Sequence, residues 1–423
     1  MNHSAIALNP EQQTAVESLL DFIQDPDTPS PFFTLGGFAG TGKTFCMREV
    51  LARTDGTHTK FAFTAPTNKA AKVLRAVTGE ACTIYSLLGL RVDKSGELKQ
   101  VVAGKAPPDL SSIDVVFVDE GSMVNVVLLK ELRASADRHG FKVVFMGDPA
   151  QLPPVKEITS PIWNLGLDAS LSRVMRHDNQ ILQLVTGIRE VINSPAPCIT
   201  IKSDHDDEGG VWKMTKTAFK ESIFKAVTQG NFGDGNNSKV IAWRNVKVAE
   251  YNLLIRNALY GVEAQSNLWM PGERIVAAAP CERNDEPLMA TDEEAVVESI
   301  VVCKHPMEPK YQAFELKATT ENGKLVRLLT IHPASQAQFD ADCQQLAHQA
   351  AAAPRMWKKF WDLKELFHDI RYAYAITAHR SQGSTYENVW VDYQDILLNR
   401  TRREAFQCLY VACSRPTTRL YLA

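Results

Sequence analysis

The chain has 423 residues, 45% of them hydrophobic, which is too long for one ordinary core and enough apolar material to fill about two to four. Its formal net charge of −3 excludes the global basic field of a duplex-coating protein, so any nucleic-acid contact must rest on a local groove. Eight scattered cysteines without a C-x-x-C pair indicate neither a zinc site nor a disulfide framework, and with no long apolar run or signal pattern they lead us to expect a protein of the cytoplasm with no membrane partner.

The segment Leu8-Asn9-Pro10-Glu11-Gln12 reads as the capped start of a helix. An apolar strand, Phe32 to Leu35, then leads into Gly37-Phe38-Ala39-Gly40-Thr41-Gly42-Lys43-Thr44, which fits the phosphate-loop pattern G-x-x-x-x-G-K-[ST] at every defined position. A helical stretch follows, so backbone N–H groups of the loop and a helix N-terminus converge on one anion site. In that site Lys43 serves the β- and γ-phosphates of ATP, while the Thr44 hydroxyl takes a Mg²⁺ position.

Up to about residue 165, buried-strand runs (Phe61–Phe63, Val115–Val118, Val143–Met146) alternate with helical segments, the rhythm of a parallel α/β sheet. Ligands in such sheets bind beyond the carboxyl ends of the strands. The run Val115–Val118 ends in Asp119-Glu120, a pair suited to holding Mg²⁺ (Asp119) and accepting a proton from the attacking water (Glu120). The next run ends in Gly147-Asp148-Pro149-Ala150-Gln151, where Gln151 can orient water or sense the γ-phosphate. Between the first two sites, Arg91 to Lys99 reads as a hairpin with a Lys-Ser-Gly turn.

A second α/β rhythm begins at Val240-Ile241-Ala242-Trp243 and resumes from Ala373 to Leu422. Between them, residues 270–331 show short apolar alternations separated by turn residues, followed by a helix over Ser335–Ala353. The aromatic run from Met356 to Ile370 has helical spacing and is expected to pack in a core, with a DNA-facing patch as the alternative.

Taken together, the phosphate loop, Asp119-Glu120 and the Gln151 turn resemble the 5′-to-3′ branch of the superfamily-one helicases, the RecD- and Dda-like enzymes, over nearly the whole chain. The resemblance implies an adenine-reading role for Gln12. Ala65-Pro66-Thr67-Asn68-Lys69 resembles motif Ia and Thr83-Ile84-Tyr85-Ser86 resembles motif Ib, with Tyr85 standing where the family usually has histidine and packing as its alternative role. Leu171 to Arg176 resembles motif IV, which makes Arg176 an arginine finger. Thr377-Ala378-His379-Arg380-Ser381-Gln382-Gly383-Ser384 resembles motif V with arginine for the usual lysine, and Leu409 to Arg415 resembles motif VI, making Arg415 the second finger.

The implied fold is α/β: two RecA-like parallel-sheet motor domains, the first (1–165) with a small hairpin insertion at about 86–110, the second (166–269 and 371–423) with a β-rich, SH3-like insertion at 270–370. The implied activity is ATP- and Mg²⁺-dependent unwinding of DNA in replication, recombination or repair, by a phage-type monomer working on single-stranded DNA and forks, with a single-strand-binding protein as a possible partner. Pro66, Thr67, Asn68, Lys69, Thr83, Tyr85, Trp243, Asn245, Thr377, His379, Arg380 and Ser381 are the expected strand contacts. Two alternatives stand beside this reading: a translocase that displaces proteins without processive unwinding, and a regulatory ATPase acting on a protein partner.

Overall fold

The computed structural model describes residues 8–92, 98–100, 108–173, 180–233, 237–283 and 286–423. These form two compact units, Met1–Met214 with Ser381–Ala423, and Thr215–Arg380. The expected arginine finger Arg176 and the tip of the expected hairpin lie outside the described residues; the hairpin's flanks, Leu90–Val92 and Leu98–Gln100, pair antiparallel as expected.

In the first unit, six parallel strands run in the order Cys82–Thr83, Phe61–Ala65, Val115–Val118, Lys142–Gly147, Phe32–Gly37, Asp168–Leu171. The central strands are buried on both faces, which is why they read as continuous apolar runs rather than alternations. Pleating sends Phe33, Leu35, Val115, Phe117, Val144 and Met146 into one core and Phe32, Val116, Val118, Val143 and Phe145 into another. Each fully buried side chain of this size contributes about 1.5–3 kcal/mol. The Pro10–Gln24 helix opens with a capping box in which Asn9 and Gln12 exchange hydrogen bonds at 2.9 and 3.1 Å.

The same unit contains the parallel strands Tyr386–Val391, Pro416–Leu422 and Gly210–Lys213, with Asp204–His205 antiparallel at the edge. Trp212, Tyr421 and Trp390 stack across these strands at centroid spacings of 5.0 and 4.6 Å. Helix Arg402–Cys413 precedes the last strand and is buried from Ala405 onward.

The second unit has a parallel pair, Ser238–Ala242 with Ala375–Thr377, flanked by helices Lys216–Thr228 and Asn245–Tyr260. Between those strands in sequence lies a five-stranded antiparallel sheet ordered Leu325–Ile331, Gln312–Thr320, Glu294–Lys304, Arg274–Ala277, Ile370–Tyr372. This is the β-rich insertion that the turn-punctuated alternation predicts. Buried ion pairs fasten it within the unit: Lys239 Nζ lies 2.9 Å from Glu294 and donates to Ala373 O at 2.6 Å, and Arg256 pairs with Glu273. The architecture is the expected mixed α/β one of RecA-like parallel sheets carrying insertions.

One expectation is overturned. Core packing of the aromatic run fails because the Trp357–Lys364 helix buries none of its residues, and only Leu366 and Ile370 beyond it reach the interior. Helical spacing creates an apolar stripe, but another element must cross that stripe to cover it. Here the helix rests chiefly on Pro333–Ala352 and the short turn Pro354–Met356 that joins them.

Candidate nucleotide site and nucleic-acid interface

The phosphate loop links the fully buried Phe32–Gly37 strand to the Lys43–Arg53 helix. Gly42 caps that helix at φ +95°, a left-handed conformation that favours glycine, and a Cβ there would sit 2.5 Å from Gln12 Nε2 and displace that side chain. Gln12 itself donates from Nε2 to Thr41 O at 3.0 Å. The residue expected to read adenine therefore also braces the loop from the first helix. Lys43 Nζ curls over the loop, donating to Gly37 O at 2.6 Å and Phe38 O at 3.2 Å, and Thr41 is wholly buried with Oγ1 donating to Phe38 O. Gly37, Ala39, Gly40 and Thr44 lie in the same strand-to-helix turn.

Asp119 and Glu120 sit where Val115–Val118 ends. Asp119 Oδ1 accepts the Glu120 N–H at 2.9 Å, and Glu120 is one of three described non-glycine residues at positive φ, +51°. Such strain concentrates at functional sites, where surrounding structure holds it. Burial, then the adjacent Asp119 carboxylate, push the Glu120 carboxyl up to about 7, against the pull of Arg415 and Lys43. Burial likewise raises Asp119. A carboxyl poised near neutrality is suited to taking a proton from water.

Gln151 is tethered from two points distant in sequence. Its Oε1 accepts from Gln382 Nε2 and its backbone carbonyl from Gln407 Nε2, both at 3.0 Å. Three residues earlier, the buried Asp148 accepts the Tyr410 hydroxyl at 2.6 Å, and that hydroxyl oxygen in turn accepts the Ala39 N–H of the phosphate loop at 3.3 Å. Arg415 is buried and folded back on its own helix end, donating to Val411 O, Ser384 O and Ser414 Oγ at 2.9, 3.1 and 2.8 Å. All these groups belong to the first unit. Sequence reasoning placed Gln151 and Arg415 here but missed Asp148, Gln382, Gln407 and Tyr410. Asp148, Gln382 and Tyr410 fall inside motif stretches and Gln407 stands two residues before one, yet each partner is more than 200 positions away.

The expected strand contacts divide. In the first unit, Thr67 caps the Asn68–Thr78 helix, Asn68 is exposed, and Pro66 and Lys69 are half-buried. Thr83 is buried as the cap of Ile84–Leu87, and Tyr85 is half-buried beside the Ile84 core, the packing role left open for it. Ser381 is fully buried and offers no surface. In the second unit, Asn245 and His379 are exposed, Trp243 is half-buried, and Thr377 is buried with Oγ1 accepting the Arg380 N–H. Arg380 differs most from expectation: its guanidinium is committed to Asp292 and to Ala277 O at 3.0 Å.

Comparison with known proteins agrees with this geometry. Residues 7–193 match the family model for an AAA domain, and residues 372–423 match the UvrD-like helicase C-terminal domain. The chain is 24% identical to uncharacterized protein R530 of Acanthamoeba polyphaga mimivirus, covering 97% of this chain and 99% of that one. It is 26% identical to the ATP-dependent DNA helicase dda of Enterobacteria phage T4, covering 90% and 92%. Among solved structures, a Pif1 helicase studied for unwinding of forked double-stranded DNA shares the fold at a TM-score of 0.53 and 14% identity, over 98% of this chain and 92% of that one. With a phosphate loop, an Asp-Glu pair and a tethered glutamine at three adjoining strand ends, and relatives matching end to end, the chain is similar to the Dda- and RecD-like helicases of superfamily 1B.

Proposed function

We propose that the protein is an ATP- and Mg²⁺-dependent DNA helicase that moves 5′-to-3′ on single strands and separates duplex DNA at forks. The observation that carries this reading is the tether on Gln151: a residue at a γ-phosphate-sensing position is hydrogen-bonded to Gln382, in the stretch resembling motif V, and to Gln407, two residues before the stretch resembling motif VI. Nucleotide state at the loop is thereby linked to elements on which a strand would pull.

In the site, Lys43 exchanges the Gly37 and Phe38 carbonyls for phosphate oxygens. The donor set fits Mg²⁺, since the Thr44 hydroxyl and Asp119 carboxylate are hard oxygen ligands and the crowded carboxyls would be relieved by a cation. When bound, that ion supplies charge neutralisation of the phosphates. Glu120 accepts the proton of the attacking water and Gln151 holds its direction. Arg415 must leave the Val411 and Ser384 carbonyls to reach the γ-phosphate as the second finger, and Arg176 supplies the first. Fingers contribute about 10³–10⁵ in rate, so their engagement is a switch.

The motor domains are assigned to 1–165 and to 166–269 with 371–423, the insertion to 270–370. The protein acts as a monomer in the cytoplasm of its cell, or of a host if phage-encoded, beside a single-strand-binding protein. No helix among the described residues is long and apolar enough to cross a membrane. The test is the steady-state ATPase rate with single-stranded DNA, single-stranded RNA or duplex DNA added. Stimulation by single-stranded DNA is expected, and indifference to every nucleic acid overturns the reading.

A further inference from the structure

The Trp357–Lys364 helix is anchored at its exit yet, among the described residues, carries no fully buried side chain. Its C-terminal exit is anchored where His305 Nε2 meets Leu366 O at 3.0 Å and where Phe367 packs edge-on against His305, Tyr311 and Phe339 at centroid distances of 5.1, 6.1 and 5.2 Å. The helix is therefore a placed element. Even so, Trp357 and Trp361 remain 41% and 36% exposed, touching aromatically only Phe360, which turns toward the inner side. Two indoles left in water at fixed positions forgo burial that the fold could have used.

At about 100° per residue the exposed arc reads, in order, Lys364, Trp357, Trp361, Lys358. Lys364 already lies 5.3 Å over the Trp361 ring. Arg355 stands at the helix entrance and Asp362 beyond Lys358, while the nearby Asp342 of Pro333–Ala352 is committed to Lys310 and Tyr311. A pair of flat rings bracketed by cations is too narrow and too charged for an apolar protein docking face. It matches a polyanion with exposed rings. Duplex DNA hides its ring faces in the stack, whereas a single strand offers both bases and phosphates.

We infer that Trp357 and Trp361, flanked by Lys358 and Lys364, form a second single-stranded DNA contact on the inserted domain, outside every helicase motif. The inference rests on the helicase reading and adds to it a stacking platform on the second unit. A strand bound there would be gripped through bases as well as phosphates, and sequence tolerance follows because every base has a π-face.

The experiment measures binding of the full chain to an oligo-dT strand and to an abasic strand of equal length by fluorescence anisotropy, over a salt series. Trp357→Ala/Trp361→Ala is expected to weaken oligo-dT binding by about fivefold or more per ring and to leave the abasic strand unaffected. Lys358→Gln/Lys364→Gln is expected to weaken both strands and to flatten the salt slope by about 0.7 per lost phosphate contact. DNA-free ATPase activity, expected to be unchanged, checks that both variants are folded. Unchanged oligo-dT affinity in both variants overturns the inference and leaves the ridge to a protein partner. Equal loss on oligo-dT and abasic strands for the tryptophan variant also overturns it, since the rings would then serve the fold. Failure of the unsubstituted protein to bind any strand would instead sink the helicase reading itself.

Discussion

The six-stranded parallel sheet and the five-stranded antiparallel insertion solve the same burial problem in opposite ways. In the parallel sheet both faces are covered, strands such as Phe32–Gly37 are buried throughout, and the polar residues that do chemistry are confined to the strand ends. In the insertion, Gln312–Thr320 and Glu294–Lys304 mix buried and open positions, and the most deeply buried charges, Lys239 with Glu294 and Arg256 with Glu273, are fasteners rather than reagents. Where a sheet is sealed, charge survives only at its rim and becomes available for catalysis. Where one face is open, charge can be spent on holding pieces together.

Substitutions can separate these two roles. The largest expected effect is at the rim: Lys43→Ala should abolish ATP hydrolysis while leaving the thermal melting profile near that of the unsubstituted protein. Glu120→Gln should keep nucleotide binding but slow turnover about 10²–10⁴-fold, read as kcat in a steady-state assay; normal turnover would remove the base assignment. Glu294→Ala should do the reverse. It strands Lys239 and Arg274 in the interior, and breaking a buried pair costs about 3–5 kcal/mol, seen as a lowered denaturant midpoint for the second unit, with nucleotide binding in the first unit retained. Smaller again is Tyr410→Phe, which strips the buried Asp148 Oδ2 of its hydroxyl donor and leaves the carboxylate only the Ala150 N–H on Oδ1, at a cost of about 1–3 kcal/mol. That loss should appear in the first unit's melt, and an unchanged midpoint would make the Tyr410–Asp148 bond incidental.

The same contrast explains what could be read from sequence. The phosphate loop, Asp119-Glu120 and Gln151 were legible because sealed strands announce themselves as apolar runs and whatever polar residue ends a run is exposed to ligand. Tyr410 was not, because a hydrogen bond to a partner 262 positions away leaves no local pattern. Arg380 reads as a phosphate contact by motif, yet Asp292, in the insertion, claims it. The aromatic helix was misjudged for a related reason: periodicity reports that a stripe exists, and coverage depends on an element elsewhere. The inserted sheet was visible as a class, but its strand order, with Ile370–Tyr372 returning to pair with Arg274–Ala277, comes from a long-range pairing that no turn signal encodes.

The smallest effect tests whether the insertion's polar interior also sets its pH tolerance. Burial lowers the pKa of both His305 and His368 from the ordinary value of 6.5, so each is kept neutral in the folded state. His305 is almost fully enclosed, facing Leu366 O through Nε2 and the Met307 and Glu308 N–H groups through Nδ1, an arrangement that needs an acceptor nitrogen. With the folded pKa depressed, the unfolded chain binds protons first. The stabilisation is therefore present above about pH 6.5 and is lost as pH falls below it. Melting of the second unit should move to lower temperature between pH 7.5 and 5.5, more than melting of the first unit. His305→Gln should lower stability at neutral pH but flatten that dependence, because glutamine does not titrate. An unflattened profile would place the acid sensitivity in His368, and if His368→Gln leaves it unflattened too, in carboxylates, so that the sealed and open sheets would differ in catalysis but not in their response to acid.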